Sequence, residues 1–470
     1  MADSYSSDVD DFYDDKAREM VDGMIEAEQR ALAAKKAQLE DCDCKEGMFA
    51  AVGRRGVLAG GAALVAGGAA LAKTARAGAP PGAIEFDVPA DPTKVQGRLT
   101  NDDGGYGTRS QFESEVRWRF PTATKESSWT MTPLESGQGV ITPSGLHFER
   151  HHGGIPTIDP AKHTLIVHGM VDQAKKFTME DIKRFPSVSR FHFIECSGNG
   201  LTEWRQPTLK TVQGTHGLTS TSEWTGVALS TILREVGVKD GAAWVLAEGA
   251  DAAVMTRSIP IDKCWSDAML AYGQNGEALR PEQGHPLRLL LPGYEGNTHI
   301  KWLRRLEISD KPFMTREETS KYTDLLSGGK ARQFSFTMEA KSVITFPSGE
   351  MKLPGAGFYE ISGLAWSGRG RVKRVEVSTD GGQSWRIAEL SGPVMPVCHT
   401  RFRVPWQWDG KPTVLQSRCQ DETGYVQPTL KQLIDRRGLD GGKFGSVYHL
   451  NAIQSWGVAA DGSVSNVHHT

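Results

Sequence analysis

Residues 191–200, FHFIECSGNG, form an apolar run that stops at a cysteine and passes at once into a Ser-Gly-Asn-Gly turn. Phe191, Phe193 and the residues between them read as a buried strand. Cys196 then stands where a strand opens into a loop. Fixed scaffolds tend to present reacting groups at such an edge. The same pattern suits an inert core cysteine, a common fate for this residue. Under either reading a sheet runs through this point, and the flanking chain is built to carry it.

With 470 residues, the chain has room for two or three domains. Hydrophobic residues at 39% and charged residues at 24% are enough for a full core. A net charge of −3 gives no basic footprint for a nucleic acid. The six cysteines, at 42, 44, 196, 264, 398 and 419, form no CxxC pair and no CxxCH. That excludes a covalently attached c-type haem on this chain. A disulfide framework is not expected, and pairing of Cys398 with Cys419 is left open. No GxGxxG follows a strand, so a dinucleotide fold is not supported.

Residues 1–77 read as a leader. Within it, residues 14–40 suit either an amphipathic helix or a disordered segment. Arg54-Arg55, an Ala/Gly-rich apolar run to Ala72 and Ala75-Arg76-Ala77 make a twin-arginine export signal, which predicts a periplasmic protein. An uncleaved anchor is the alternative. That route carries folded cargo, often with its cofactor already bound. Residues 78–107 form an irregular, Pro/Gly-rich arm.

Residues 108–332 read as a catalytic domain. Strands are expected at 163–170, 242–247, 286–291 and 302–308. Thr178 and Asp181 predict a helix cap, with the helix ending before Pro186. Leu229, Ile232, Leu233 and Val236 predict one amphipathic helix closed by Gly237. Few helices and no βαβ alternation predict an α+β fold. From residue 333 to 470, short strands at 342–346, 359–366, 372–378, 384–390, 400–404 and 414–420, with a turn at 379–382, predict an immunoglobulin-like β-sandwich.

Several segments, in order, resemble the sulfite oxidases. Glu195-Cys196-Ser197-Gly198-Asn199 resembles the ECAGN motif, whose cysteine binds molybdenum. Arg150-His151-His152, Ser258-Ile259-Pro260, residues 270–276 (LAYGQNG), residues 284–293 (GHPLRLLLPG), Lys301-Trp302-Leu303 and residues 375–385 (VEVSTDGGQSW) resemble further motifs of the family. The likeness covers roughly residues 140–470. The export signal, the lack of a cytochrome b5 domain and the ECSGNG variant narrow it to the sulfane and sulfite dehydrogenases, the molybdenum subunits of thiosulfate-oxidising (Sox) systems.

The resemblance implies a molybdopterin domain followed by a dimerisation domain. It implies a molybdenum–molybdopterin cofactor with Cys196 as the metal's thiolate ligand, and oxygen-atom transfer from water to sulfur. Phe148, Glu149, Arg150, His151, His152, Asp251, Gln283, Arg288, His299, Ile300 and Lys301 would bind the cofactor. Gln283 stands where the family has a histidine. For Arg288 the alternative is a strand residue snorkelling from a sheet edge. Arg150, Lys301 and Tyr322 would serve the substrate, unless Tyr322 is a surface residue. Arg403 would reach in from the second domain. Gly200-Leu201 replaces the family's arginine pair, which implies a roomier pocket for a carrier-bound sulfane, with Arg205 as partial compensation. The family context implies a c-type cytochrome subunit as acceptor, a sulfur-carrier protein as substrate, a homodimer through the C-terminal domain and a heterotetramer overall. A sulfite:cytochrome c oxidoreductase, a sulfoxide or nitrate reductase and a non-enzymatic exported β-sandwich binding protein are the rival readings.

Overall fold

The computed structural model describes residues 21–34, 36–37, 106–110, 112–121, 126–204, 207–326, 329–437 and 449–468. The export signal, Cys42, Cys44 and Arg205 lie outside them. The chain divides into two compact units, residues 1–50 with 116–470, and residues 51–115. Among the described residues no helix is long and apolar enough to cross a membrane.

In the larger unit, residues 21–34 are helical (α1), so the part of segment 14–40 that is described is a helix. Strands β1 (Trp118–Pro121), β2 (Ser128–Met131) and β3 (Glu149–His151) form a small sheet. There follow β4 (Thr164–Gly169), β5 (Lys175–Thr178), helix α2 (Met179–Arg184), β6 (Ser187–Glu195), α3 (Val212–His216), β7 (Thr219–Ala228) and α4 (Leu229–Val236). Then come β8 (Trp244–Gly249), β9 (Thr256–Pro260), α5 (Ile261–Ser266), β10 (Met269–Gln274), β11 (Glu277–Ala278), β12 (Arg288–Leu290) and β13 (Leu303–Ser309). The order β11-β10-β7-β6, with β12 also on β10, makes one sheet, and β5-β4-β13-β8-β9 another. A hairpin, β14 (Asp324–Leu326) with β15 (Lys330–Arg332), ends this half. The only parallel ladder among the named strands is β4 with β13, as an α+β fold requires.

Local chemistry sets these elements. Thr178 and Asp181 form a reciprocal capping box on α2, and the helix stops at Phe185, before Pro186. Leu229, Ile232, Leu233 and Val236 are all buried, and Gly237 closes α4 at φ +67°. In β6 the period-two alternation holds until Phe191, which is 40% exposed and not buried as expected. From His192 to Glu195 both faces are covered, because two cores meet there. Phe193 belongs to the C-terminal core and Ile194 to the core beneath β1 and β2. Helix α1 joins the latter core through Met24 and Ala27. Its Glu28 carboxylate accepts the backbone N–H groups of Lys210 at 2.8 Å and Thr211 at 2.9 Å.

The second half is a two-sheet β-sandwich. Strands β16 (Lys341–Phe346), β17 (Gly357–Trp366), β18 (Val372–Ser378), β19 (Arg386–Ile387), β20 (Glu389–Ser391), β21 (Thr400–Trp408) and β22 (Thr413–Asp421) cover the expected segments. Helix α6 (Leu430–Arg437) and strands β23 (Ser455–Val458) and β24 (Val464–Val467) extend them. The sheets β16-β17-β21-β20 and β19-β18-β22-β23-β24 enclose Trp366, Trp408, Trp456, Val375 and Leu415. Cys398 and Cys419 are both buried free thiols.

Candidate functional site

Strand β6 delivers Cys196 into a turn. The Cys196 N–H donates to Leu218 O at 3.0 Å, and its carbonyl accepts from Asn199 N at 3.0 Å. Burial pushes the thiol up, against a backbone hydrogen bond from Gly198 and the positive charge of Arg150. Cys196 lines a cleft of about 80 Å3.

Strand β3 supplies one wall. Arg150 lies over the Trp129 ring at 5.2 Å and donates to Ser127 Oγ at 3.2 Å and to the carbonyl of His151. His151 Nε2–H donates to Glu149 Oε2 at 2.5 Å, while its Nδ1 accepts from Lys301 at 2.9 Å. Burial and the Lys301 charge push the ring down to about 4, so it is neutral at neutral pH. Burial alone would raise the Glu149 carboxyl; the His151 hydrogen bond and the Arg117 charge, 3.1 Å away, hold it below the ordinary range.

Two further cations line the cleft. Arg288, on β12, is buried, and its guanidinium donates only to neutral groups: Gln283 O at 3.0 Å, Gln283 Oε1 at 3.3 Å and His299 O at 3.3 Å. Among the described residues its Nε has no partner. Burial brings it down to about 9, and it is a core residue rather than a snorkelling one. Lys301 also finds neutral acceptors: Arg150 O at 3.1 Å, Glu282 O at 2.9 Å and His151 Nδ1. Burial and the Arg288 charge push it down to about 7. Gln283 donates to Phe148 O at 2.9 Å. Asp251 Oδ1 accepts from Met255 N at 3.1 Å, within its own loop. His299 has both ring nitrogens engaged by backbone, with Leu291 N at 3.3 Å and Tyr294 O at 3.1 Å. Tyr322 follows a single π-helical turn, Glu317–Lys321, and its hydroxyl pairs with His152 Nε2 at 3.2 Å.

One cleft thus brings together Phe148, Glu149, Arg150, His151, His152, Cys196, Asp251, Gln283, Arg288, His299, Ile300, Lys301 and Tyr322. His147, Asn297, Met255 and Trp302 line it as well and were not among the expected site residues. Trp302 lies inside a quoted motif, and Lys301 Nζ sits 4.6 Å from its ring centre. Asn297 donates to Ser197 Oγ at 3.1 Å and so tethers the thiol turn; nothing in the sequence marks it.

Two expectations need correction. Gly200 and Leu201 do not line the cleft. Gly200 has φ +86°, and a Cβ there would come within 3.1 Å of His216 and 3.2 Å of Leu450. Leu201 packs with Trp204, Leu433 and Leu450. Their small or apolar character therefore answers to packing against the C-terminal segment, not to the width of the pocket. Arg403 is on the outward, exposed face of β21, paired with Glu389 at 2.6 Å, and does not enter the cleft.

Residues 152–317 match the model of the oxidoreductase molybdopterin binding domain, and residues 332–455 that of the Mo-co oxidoreductase dimerisation domain. The crystal structure of the sulfane dehydrogenase SoxCD from Paracoccus pantotrophus superposes with a TM-score of 0.76 at 46% identity. The match covers 81% of this chain and 100% of that one. The chain belongs to the sulfite oxidase family. It is also 33% identical over 310 residues to a nitrate reductase [NAD(P)H] of Hordeum vulgare, covering 59% of this chain and 34% of that protein. To a Brassica napus nitrate reductase [NADH] it is 34% identical over 304 residues, covering 57% and 33%. The chain spans about a third of the length of these curated relatives.

The cleft fits the family's cofactor. An anionic, polar pterin needs cations and donors, and Arg288 is a buried cation with an idle Nε and only neutral acceptors. Among the described residues no group of three or more His, Cys, Asp or Glu is placed to hold a metal. A centre whose other ligands come from its own cofactor asks the protein for one soft thiolate, which is what Cys196 offers.

Proposed function

We propose that this chain is a molybdenum-dependent dehydrogenase that oxidises sulfur on a carrier-bound sulfane or sulfite group in thiosulfate oxidation. The observation that carries this reading is the convergence of Arg150, Arg288 and Lys301 on one thiol, Cys196, in a single cleft. Arg288 is buried and Lys301 half-buried, both on neutral acceptors, which supports a cleft built for anions. The 46% likeness to a sulfane dehydrogenase supports the choice of sulfur chemistry.

In this reading Cys196 is the metal's thiolate. Arg288, Gln283, Asp251, the segment from Phe148 to His152 and His299 to Lys301 hold the pterin. The bound group supplies oxygen-atom transfer and takes up two electrons. Arg150 clamps an oxyanion with its planar fork. Lys301 adds charge between cofactor and substrate. The His152–Tyr322 hydrogen bond aims the phenol into the cleft. A second hollow of about 310 Å3, lined by Gly153, Ala252, Ala253, Arg316 and Glu317, shares His152 and Tyr322 with the cleft. It supports a substrate larger than free sulfite. The electron acceptor is a separate c-type cytochrome subunit, the C-terminal domain forms a homodimer, and the assembly is a periplasmic heterotetramer.

Two measurements test this. Cys196→Ser should lose the thiolate signature in the molybdenum spectrum, and an unchanged signal removes the ligand. Turnover of a carrier-bound sulfane should exceed that of free sulfite by about 10-fold or more, the size of a discrimination step of over one kcal/mol. Comparable rates would favour a sulfite dehydrogenase. Nitrate turnover with a reduced dye, outrunning both, would favour the activity of the 33%-identical relatives.

A further inference from the structure

The thiol strand has partners from the other half of the chain. Glu195, the residue before Cys196, is completely buried, as is Lys341. The Glu195 carboxylate accepts from Lys341 Nζ at 3.1 Å, Trp366 Nε1 at 2.6 Å and Asn199 Nδ2 at 2.8 Å. Lys341 also donates to Asn199 O at 3.1 Å. Asn199 in turn donates its backbone N–H to the Cys196 carbonyl at 3.0 Å and accepts from Leu218 N at 3.1 Å. Leu218 O takes the Cys196 N–H at 3.0 Å. The bonds that begin at Lys341 therefore end on both backbone groups of the thiol residue.

The grip extends upstream. Phe193 N–H donates to Val397 O at 2.8 Å. His399 lies between the Phe193 ring at 6.2 Å and the Trp366 ring at 5.1 Å, and pairs with Thr219 Oγ1 at 2.9 Å. Lys341 opens β16 and Trp366 closes β17, opposite each other in register. Two charges buried this deeply give little net stability over an apolar pair of the same shape. What the pair supplies is a fixed geometry with every carboxylate contact directed.

We propose that Glu195, held by Lys341 and Trp366, is a positioning residue for Cys196, which makes the C-terminal domain part of the metal site as well as an oligomerisation module. This rests on the reading of Cys196 as the metal's ligand.

The test uses the loaded full-length enzyme and the same protein prepared without cofactor. Partners that orient a metal ligand are typically worth about 10–100-fold in affinity or activity. Lys341→Met should therefore lower kcat by about 10-fold or more with KM unchanged, and shift the Mo(V) paramagnetic signal. In the cofactor-free protein it should change the rate at which N-ethylmaleimide alkylates Cys196. Lys341→Arg should restore all three. If the single variant does not fold, because it leaves Glu195 unpaired, the double variant Glu195→Gln/Lys341→Met removes both charges and carries the test with the same expected losses. A folded variant with the wild-type kcat, Mo(V) signal and alkylation rate overturns the proposal. If Cys196→Ser kept the wild-type Mo(V) signal, the ligand reading would fall, yet altered Cys196 alkylation in cofactor-free Lys341→Met would still establish the positioning.

Discussion

At the scale of single residues, the cleft holds its charges in a state that the protein alone does not favour. Among the described residues Arg288 is buried with no carboxylate in contact and an idle Nε, and Lys301 is pushed down to about 7. A buried cation without a counter-charge is costly to desolvate and destabilises a fold relative to an apolar residue of similar volume. Arg288→Met should therefore raise the melting temperature of the cofactor-free protein while cutting its molybdenum content by about 10-fold or more, the size of one lost charge-assisted contact. Thermal melts with and without cofactor, together with metal analysis, check both halves. A variant that is less stable without cofactor, or that keeps its molybdenum, would mean that Arg288 serves the sheet and not the cofactor. Most of these residues were legible because the motif lays them out along the chain. Asn297 was not, because its role is a hydrogen bond to Ser197, 100 residues earlier in the chain.

At the scale of elements, local rules held where one short segment contains all the partners. The α2 cap and the α4 stripe closed by Gly237 are of that kind. They failed where an element is covered from outside. Phe191 faces out because β6 is covered on both faces only from His192 onward, and Gly200 answers to His216 and Leu450. The 3-10 helix Leu201–Trp204 shows the same dependence on distant partners. Its Glu203 is pushed up to about 7 by burial, against hydrogen bonds from Asn466 and Thr202. An acid held up in the fold keeps its proton where the unfolded chain has lost it. Its contribution to stability therefore falls as pH rises from about 4.5 to about 7 and stays low above that. Glu203→Gln should flatten this part of the profile, gaining stability at pH 8 relative to pH 5. Melts at the two pH values check it, and an unchanged difference between them would contradict it.

At the scale of the whole molecule, the two halves share one interior. Leu134, Phe193 and Val212 belong to the same buried cluster as Trp366 and Trp456. Each would lose roughly 1.5–3 kcal/mol of burial if the halves were parted. Residues 116–332 expressed alone should bind a hydrophobic dye and retain little molybdenum, whereas the full chain should do neither; dye fluorescence and metal analysis decide. The sequence by itself determined what is written in order along the chain: the thiol at a strand end, the capped helices, the spaced strands of the sandwich and the motif series of the family. Periodicity, capping and motif spacing are local, so they survive being read in one dimension. Only the tertiary structure decided that Arg288 meets no carboxylate among the described residues, that Gly200 and Leu201 serve packing, and that Lys341 lies against Glu195. These are contacts between segments up to 250 residues apart, Gly200 with Leu450 being the widest. Burial and charge pairing at that range depend on how the sheets stack, and stacking leaves no period in the sequence.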